Sequence, residues 1–366
     1  MSVPYFTLSR QYESIKPEIN EAIAKVLAEG HFIMGPEVAA LEKALSEYLG
    51  VRHVITCANG TDSLVMTMDV LGIHDGDEVI TTPYTFIASV ECVSHLGGTP
   101  VFADVERDAF TIDPDKIRKA ITPRTKAIVP VHIFGQPCDM DQIMSIARKH
   151  GLTVIEDCAQ AIGATYKGKR VGTIGHIGCF SLFPTKNLGC YGDGGFIVTD
   201  DDEWAALLRR KRTHGSNPKY YHDMFGYNSR LDTLQAAIVL AKLTHLDGWN
   251  AKRLQIARRY NEAFAGLPVQ RPVEKPDRGH VYHLYVLGTD DRDAFKAHLD
   301  ARGVGSGVYY PLPMHLQKVY ASLGYKPGSL PAAEALAPSM LALPCFPELT
   351  DDEQEQVINA VKSYFR

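Results

Sequence analysis

Long apolar runs are missing from this 366-residue chain. No stretch of about 18 consecutive apolar residues occurs, so no membrane-spanning helix is expected. The opening Met1-Ser2-Val3-Pro4-Tyr5-Phe6 has no charged region followed by an apolar one, so no secretory signal is expected there. An excess of one charge is missing too. Lys and Arg total 38 against 43 Asp and Glu, a net charge of -5 with the signs interspersed, which excludes the basic stripe of a nucleic-acid binder. The 7 cysteines (Cys57, Cys92, Cys138, Cys158, Cys179, Cys190 and Cys345) are odd in number and never spaced C-x-x-C. That argues against a disulfide framework or a zinc site and for reduced thiols in a cytoplasmic protein. His280 and His283 have no glutamate at metal-binding spacing, and no metal is expected. G-x-G-x-x-G, G-x-x-x-x-G-K-[ST] and G-x-S-x-G are all absent, which weakens dinucleotide, P-loop and nucleophile-elbow readings.

What is present is an ordinary globular composition, 45% hydrophobic and 22% charged, in a chain longer than one core usually serves. After helices over Tyr12 to Leu27 and Pro36 to Tyr48, apolar strands alternate with amphipathic helices. The strands are Val54-Cys57, Glu78-Thr82, Pro100-Val105, Lys126-Val131 and Val154-Asp157. Such alternation predicts an α/β fold with a mostly parallel central sheet covered on both faces. A long helical stretch from Leu231 to Phe264, bent near Gly248, leads into a different rhythm. There the strands are His283-Leu287 and Val308-Tyr310, and the helices Arg292-Arg302, Pro331-Met340 and Asp351-Tyr364. The expected organisation is a large α/β domain over residues 1–250 and a smaller C-terminal α+β domain over 251–366.

Ligands of parallel sheets gather beyond the carboxyl ends of the strands, and the residues there carry chemistry. Asn59-Gly60-Thr61 opens a helix; it fits a plain N-cap, or a phosphate seat at exposed helix amides. Phe86 fits a core aromatic, or a face on which a planar ring stacks. Asp157 ends an apolar strand and needs a cationic or hydrogen-bonding partner. Lys186 follows the strand of Phe180 and Ser181 and precedes the glycine-dense turn Gly189 to Gly195. A surface cation is the ordinary reading of a lysine, whereas a lysine between buried segments can become a Schiff-base nucleophile. Taken together, the lysine, the carboxylate, the helix start and the aromatic face are what pyridoxal phosphate needs.

Ordered stretches along nearly the whole chain carry a resemblance. They include Gly35-Pro36-Glu37, Ala58-Asn59-Gly60-Thr61-Asp62-Ser63-Leu64, Glu156-Asp157-Cys158-Ala159-Gln160, Phe180 to Gly195, Gly226-Tyr227-Asn228-Ser229-Arg230 and Tyr310-Pro311-Leu312-Pro313. The chain resembles the DegT/DnrJ/EryC1/StrS family of nucleotide-sugar aminotransferases, which are fold-type I pyridoxal-phosphate transferases. The resemblance implies Lys186 as the Schiff-base lysine, Asp157 as partner of the pyridine nitrogen, Gln160 beside the ring hydroxyl and Phe86 as the stacking aromatic. It implies Gly60, Thr61 and Ser181 as the phosphate cradle. Asn228 matches a residue that reaches the phosphate of the neighbouring subunit, which implies a homodimer with shared active sites. The implied reaction moves an amino group from an amino acid, L-glutamate, to a nucleotide-linked ketosugar in amino-sugar or surface-polysaccharide biosynthesis. The turn after Lys186 most resembles a branch acting at C3″ of UDP-2-acetamido-2-deoxy-3-oxo-glucuronate; a 4-keto-6-deoxy sugar and a non-catalytic regulatory role are the alternatives. Arg230, Tyr309, Tyr310 and His315 are candidate substrate contacts. Arg230 fits a sugar carboxylate or pyrophosphate and equally a structural ion pair, and Tyr309 stands where relatives of that branch often carry histidine.

Overall fold

Strands that are apolar on both faces require cover on both sides, and neighbouring helices supply it. The computed structural model describes residues 2–366. A seven-stranded sheet comprises β1 (His53–Cys57), β2 (Glu78–Thr81), β3 (Thr99–Phe102), β4 (Thr125–Val129), β5 (Thr153–Asp157), β6 (Ile177–Ser181) and β7 (Gly195–Thr199). Its order is β1-β7-β6-β5-β4-β2-β3. β7 runs against both of its neighbours, and all other pairings are parallel. Phe180, Phe196 and Val198 face a core with Val38, Leu41 and Leu45 of the helix Pro36–Leu49. Ile177, Cys179 and Ile197, one residue out of step, pack with Leu64 and Met68 of the helix Gly60–Val70. The Phe180 and Phe196 rings stack across β6 and β7 at 4.4 Å, a pairing that adds about 0.5–1.5 kcal/mol to their burial.

A second core surrounds the antiparallel pair β8 (Tyr285–Gly288) and β9 (Met340–Leu343). Tyr260, Phe264, Phe295, Leu299, Val357 and Val361 close around it. The helix Leu246–Ala263 serves both cores, with Leu246 in the first and Ile256, Ala257 and Tyr260 in the second. Val3 also belongs to the second core, so the start of the chain packs with its end. Among the described residues no helix is long and apolar enough to cross a membrane.

Four local expectations are not met. The helix expected over Tyr12 to Leu27 is two, Ser9–Ser14 and Lys16–Glu29, because Pro17 cannot continue a helix that has already begun. The stretch from Leu231 to Phe264 divides into Thr233–Leu243 and Leu246–Ala263. The break falls at Thr244 and His245 rather than at Gly248; His245 stacks on Trp249 and pairs with Glu18. Val308-Tyr309-Tyr310 is not a strand: Gly307 takes the last ladder position opposite Ala342, and Tyr84 Oη donates to the Tyr309 carbonyl at 2.5 Å. The helix expected over Pro331 to Met340 stops at Leu336, and the buried run Met340–Leu343 becomes β9.

Candidate active site

The register of the sheet builds the site. Gly195 lies opposite both Cys57 and Ser181, so β1 and β6 end level with the start of β7. Asn59 then caps the helix Gly60–Val70 by accepting from Asp62 N at 2.8 Å. Gly60 is required by this close approach, since a Cβ there would meet Ser181 Cβ at 2.6 Å. The first two helical amides, Gly60 and Thr61, have no intrahelical acceptor by geometry, and none is found elsewhere among the described residues. They open with Ser181 onto one cavity of about 820 Å³ beyond the strand ends.

Lys186 and Asp157 share that cavity. Asp157 is 3% exposed; its Oδ2 accepts from Ser89 Oγ at 2.6 Å and its Oδ1 from Ala159 N at 3.0 Å. Thr85 Oγ1 lies 2.8 Å from Ser89 Oγ and continues the chain. Among the described residues no lysine, arginine or histidine lies within ion-pair distance of Asp157. Lys186 is half-buried, and desolvation brings its amine down to about 8, with Asp157 opposing the shift. Gln160 is fixed at both ends: its Oε1 accepts from Phe134 N at 2.7 Å and its Nε2 donates to Tyr310 Oη at 3.0 Å. Phe86 is 55% exposed, with its ring 6.4 Å from that of Tyr310.

The loop bearing Lys186 is held at several points. Leu182 N donates to Gly194 O at 2.8 Å, Cys190 N to Leu182 O at 2.7 Å, and Tyr191 N to Gln235 Oε1 at 2.8 Å. Behind it the buried Lys242 donates to Gly189 O at 2.5 Å and lies 4.8 Å from the centre of the Tyr191 ring. Burial pushes the Lys242 amine down to about 8.

Tyr309 and Tyr310 line the cavity; Asn228, Arg230 and His315 do not. Asn228 is exposed at a bridge with Thr213. Arg230 forms no ion pair among the described residues, and its Nε is buried without a partner. His315 is 1% exposed, bonded through Nε2 to Glu334 at 3.0 Å and packed against Phe102. The short turn Met314–Leu316 directs it away from the cavity. Tyr5, Ser89, Thr185 and His283 reach the cavity unanticipated. Of these only His283 was weighed in the sequence, where a metal role was set aside; its Nδ1 lies 3.2 Å from Asn187 Oδ1, and burial, Lys186 and Arg253 keep it well below the usual imidazole range. The buried trio His132, Glu156 and Cys158 resembles a metal site. Glu156, however, already accepts from His132 and from the amides of Gly172, Ile174 and Gly175.

These features fit pyridoxal phosphate: a buried carboxylate without a cation, two free helix amides, a lysine amine of lowered pKa and an exposed aromatic face. The fold defines the class as fold-type I pyridoxal-phosphate-dependent aminotransferase. The profile of the DegT/DnrJ/EryC1/StrS aminotransferase family matches residues 13–362, and the chain belongs to that family. It is similar to the "Pleiotropic regulatory protein" of Geobacillus stearothermophilus, with 48% identity over 100% of this chain and 99% of the relative. It is 44% identical to the dTDP-3-amino-3,4,6-trideoxy-alpha-D-glucose transaminase of Streptomyces venezuelae, over 99% of this chain and 96% of the relative. A UDP-2-acetamido-2-deoxy-3-oxo-D-glucuronate aminotransferase of Pseudomonas aeruginosa is 42% identical over 95% of this chain and 96% of its own length. The crystal structure of S. venezuelae DesV with a ketimine intermediate superposes with a TM-score of 0.98, at 44% identity over 100% of this chain and 99% of that one. This chain is therefore a pyridoxal-phosphate-dependent aminotransferase of the nucleotide-sugar type.

The lowered pKa of Lys186 sets a pH dependence. The neutral amine is the nucleophile, and its share grows as pH rises toward about 8. Covalent uptake of pyridoxal phosphate by cofactor-free enzyme is expected to quicken about tenfold per pH unit below that value and to level off above it. The visible absorption band reports the rate. A flat profile between about pH 6 and 9 would contradict the lowered pKa.

Proposed function

We propose that the enzyme transfers the amino group of L-glutamate to carbon 3 of a nucleotide-linked 3-oxo sugar, with Lys186 as the catalytic residue. The observation that carries the reading is the pairing, in one cavity, of the half-buried Lys186 amine with the buried, cation-free Asp157. Lys186 Nζ holds the cofactor covalently. Freed by the donor's amine, it would take the proton from the donor's α-carbon as base and pass it on, away from that carbon, as acid. Asp157 keeps the pyridine nitrogen protonated, and Ser89 and Ala159 N orient the carboxylate. Gln160, fixed by Phe134 N and Tyr310, would meet the ring hydroxyl, and Phe86 would offer its face to the ring. Gly60 N, Thr61 and Ser181 seat the phosphate. When bound, the cofactor withdraws electrons from the α-carbon and carries the amino group between substrates.

Asn228 is exposed and lies outside the cavity of its own subunit, which suits a contact with the partner's phosphate in a homodimer. Arg230, with its unpaired Nε, suits an anionic group of the nucleotide sugar delivered in the same way. The relatives' names support carbon 3 as the position aminated. The Streptomyces and Pseudomonas enzymes differ in nucleotide and in ring substituents, yet both names place the chemistry at carbon 3. The wording of the glycine turn favours UDP-2-acetamido-2-deoxy-3-oxo-glucuronate as the substrate. The name of the Geobacillus relative points to a regulatory role, and the retained Lys186, Asp157 and Gln160 oppose a purely regulatory one.

A panel of UDP- and dTDP-linked 3-oxo and 4-oxo sugars, each offered with glutamate, tests the reading by product analysis. A 3-amino product from the UDP-glucuronate ketone is expected. Amination of 4-oxo sugars alone would overturn the assignment of carbon 3.

A further inference from the structure

Tyr5 and Phe6 form one wall of the cavity. Val3 is fully buried and strapped to the C-terminal core by Val3 N donating to Gly303 O at 2.7 Å and Gly305 N donating to Val3 O at 2.9 Å. Beyond this anchor Tyr5 and Phe6 line the cavity. Phe6 is held edge-on against Phe346 at 5.9 Å, and the Tyr5 ring lies over that of Tyr309 at 6.1 Å and 29°. The approach depends on missing side chains: a Cβ at Gly305 would meet Tyr5 N at 2.6 Å, and one at Gly307 would meet the Tyr5 ring at 3.0 Å. The position of Tyr5 is therefore set from three sides.

Its hydroxyl is the anomaly. It is buried and forms no hydrogen bond of regular geometry, with the Tyr309 phenol as its polar neighbour. A sheltered, unpaired hydroxyl is destabilising unless something meets it. We propose that Tyr5, with Tyr309 beside it, is a specificity-determining residue that donates to an oxygen of the sugar ring undergoing amination. This inference rests on the functional reading above.

The charge of the wall selects among possible partners. Among the described residues lining the cavity, Lys186 is the sole lysine and no arginine is present; the acidic groups are Asp62, Asp157 and Asp193. A diphosphate calls for guanidinium or ammonium groups, and on the Tyr5 side the neighbouring guanidinium, the buried Arg253, is outside the cavity lining and engaged with the carbonyls of Tyr282, His283 and Cys345. A neutral hydroxyl or carbonyl oxygen suits two phenols in an apolar setting shared with Leu284, Leu343 and Cys345. The cofactor's own polar groups have other partners, in Asp157, Gln160 and the helix start.

Holoenzyme carrying Tyr5→Phe separates the roles, because the ring and its stacking remain and the hydroxyl alone is lost. Two ketosugars serve as probes, UDP-2-acetamido-2-deoxy-3-oxo-glucuronate and a dTDP-linked 3-oxo-6-deoxyhexose. The glutamate half-reaction, followed by cofactor absorption, is expected to keep its parental rate, and thermal unfolding is expected to be unchanged or slightly later. The KM for the accepted ketosugar should rise about five- to tenfold, the scale for losing one neutral hydrogen bond. An unchanged ketosugar KM overturns the proposal, as does an equal loss in both half-reactions, which would assign the hydroxyl to cofactor or fold. If the parental enzyme reacts with glutamate but with neither ketosugar, the functional reading itself fails, and this inference with it.

Discussion

Replacing Lys186 with alanine is expected to lower kcat by at least about 10⁴-fold while leaving the fold intact. Positioned proton transfer alone contributes roughly 10²–10⁴-fold, and the substitution also removes the covalent hold on the cofactor. The fold should persist because the loop is fastened through atoms other than the Lys186 side chain: Leu182 N to Gly194 O, Cys190 N to Leu182 O, and Lys242 to Gly189 O. Removing a desolvated amine costs the folded state little. Steady-state turnover, an absorption band trapped by borohydride in the parent and absent in the variant, and an unchanged unfolding temperature together test this expectation. Near-normal turnover in Lys186→Ala would remove the proposed mechanism.

The second large effect is expected from Asp157→Asn. The asparagine Oδ1 can still accept from Ser89 or Ala159 N, so the site keeps its shape and should retain cofactor. The negative charge is lost, and with it the force that keeps a proton on the pyridine nitrogen. The glutamate half-reaction should slow by roughly 10²–10³-fold, the scale for removing one preorganised electrostatic partner from an enclosed site. Rapid-mixing absorbance measures this directly. An unchanged rate would show that Asp157 partners some other group. Asp157→Ala makes a poorer test, because it leaves Ser89 Oγ and Ala159 N without their acceptor at a cost of about 1–3 kcal/mol.

The sheet was legible because its strands are apolar on both faces and separated by helices, a pattern that survives without knowledge of pairing. Strand order was not legible. Nothing local states that β1 sits beyond β7, since that neighbour arrives 138 residues or more later in the chain, as in the pairing of Cys57 with Gly195. Lys186, Asp157, Gln160 and Phe86 stood out by following strand ends, where a buried or reactive side chain is informative. Ser89 did not, because a serine inside a short helix has many uses; its meaning comes from the Asp157 carboxylate 2.6 Å away. His315, named as a candidate substrate contact, lies outside the cavity, buried by its turn against Glu334 and Phe102. In place of the strand expected at Tyr309 there is an irregular segment whose Tyr309 carbonyl accepts from Tyr84 Oη.

The reversed direction of β7 has a mechanical consequence. The chain leaving the lysine loop returns through the interior of the sheet, laddered to β1 on one side and β6 on the other. Such a loop cannot swing outward without parting two seams at once, so it acts as an anvil and not as a door. Rigidity is thus concentrated at the loop where bonds are made and broken.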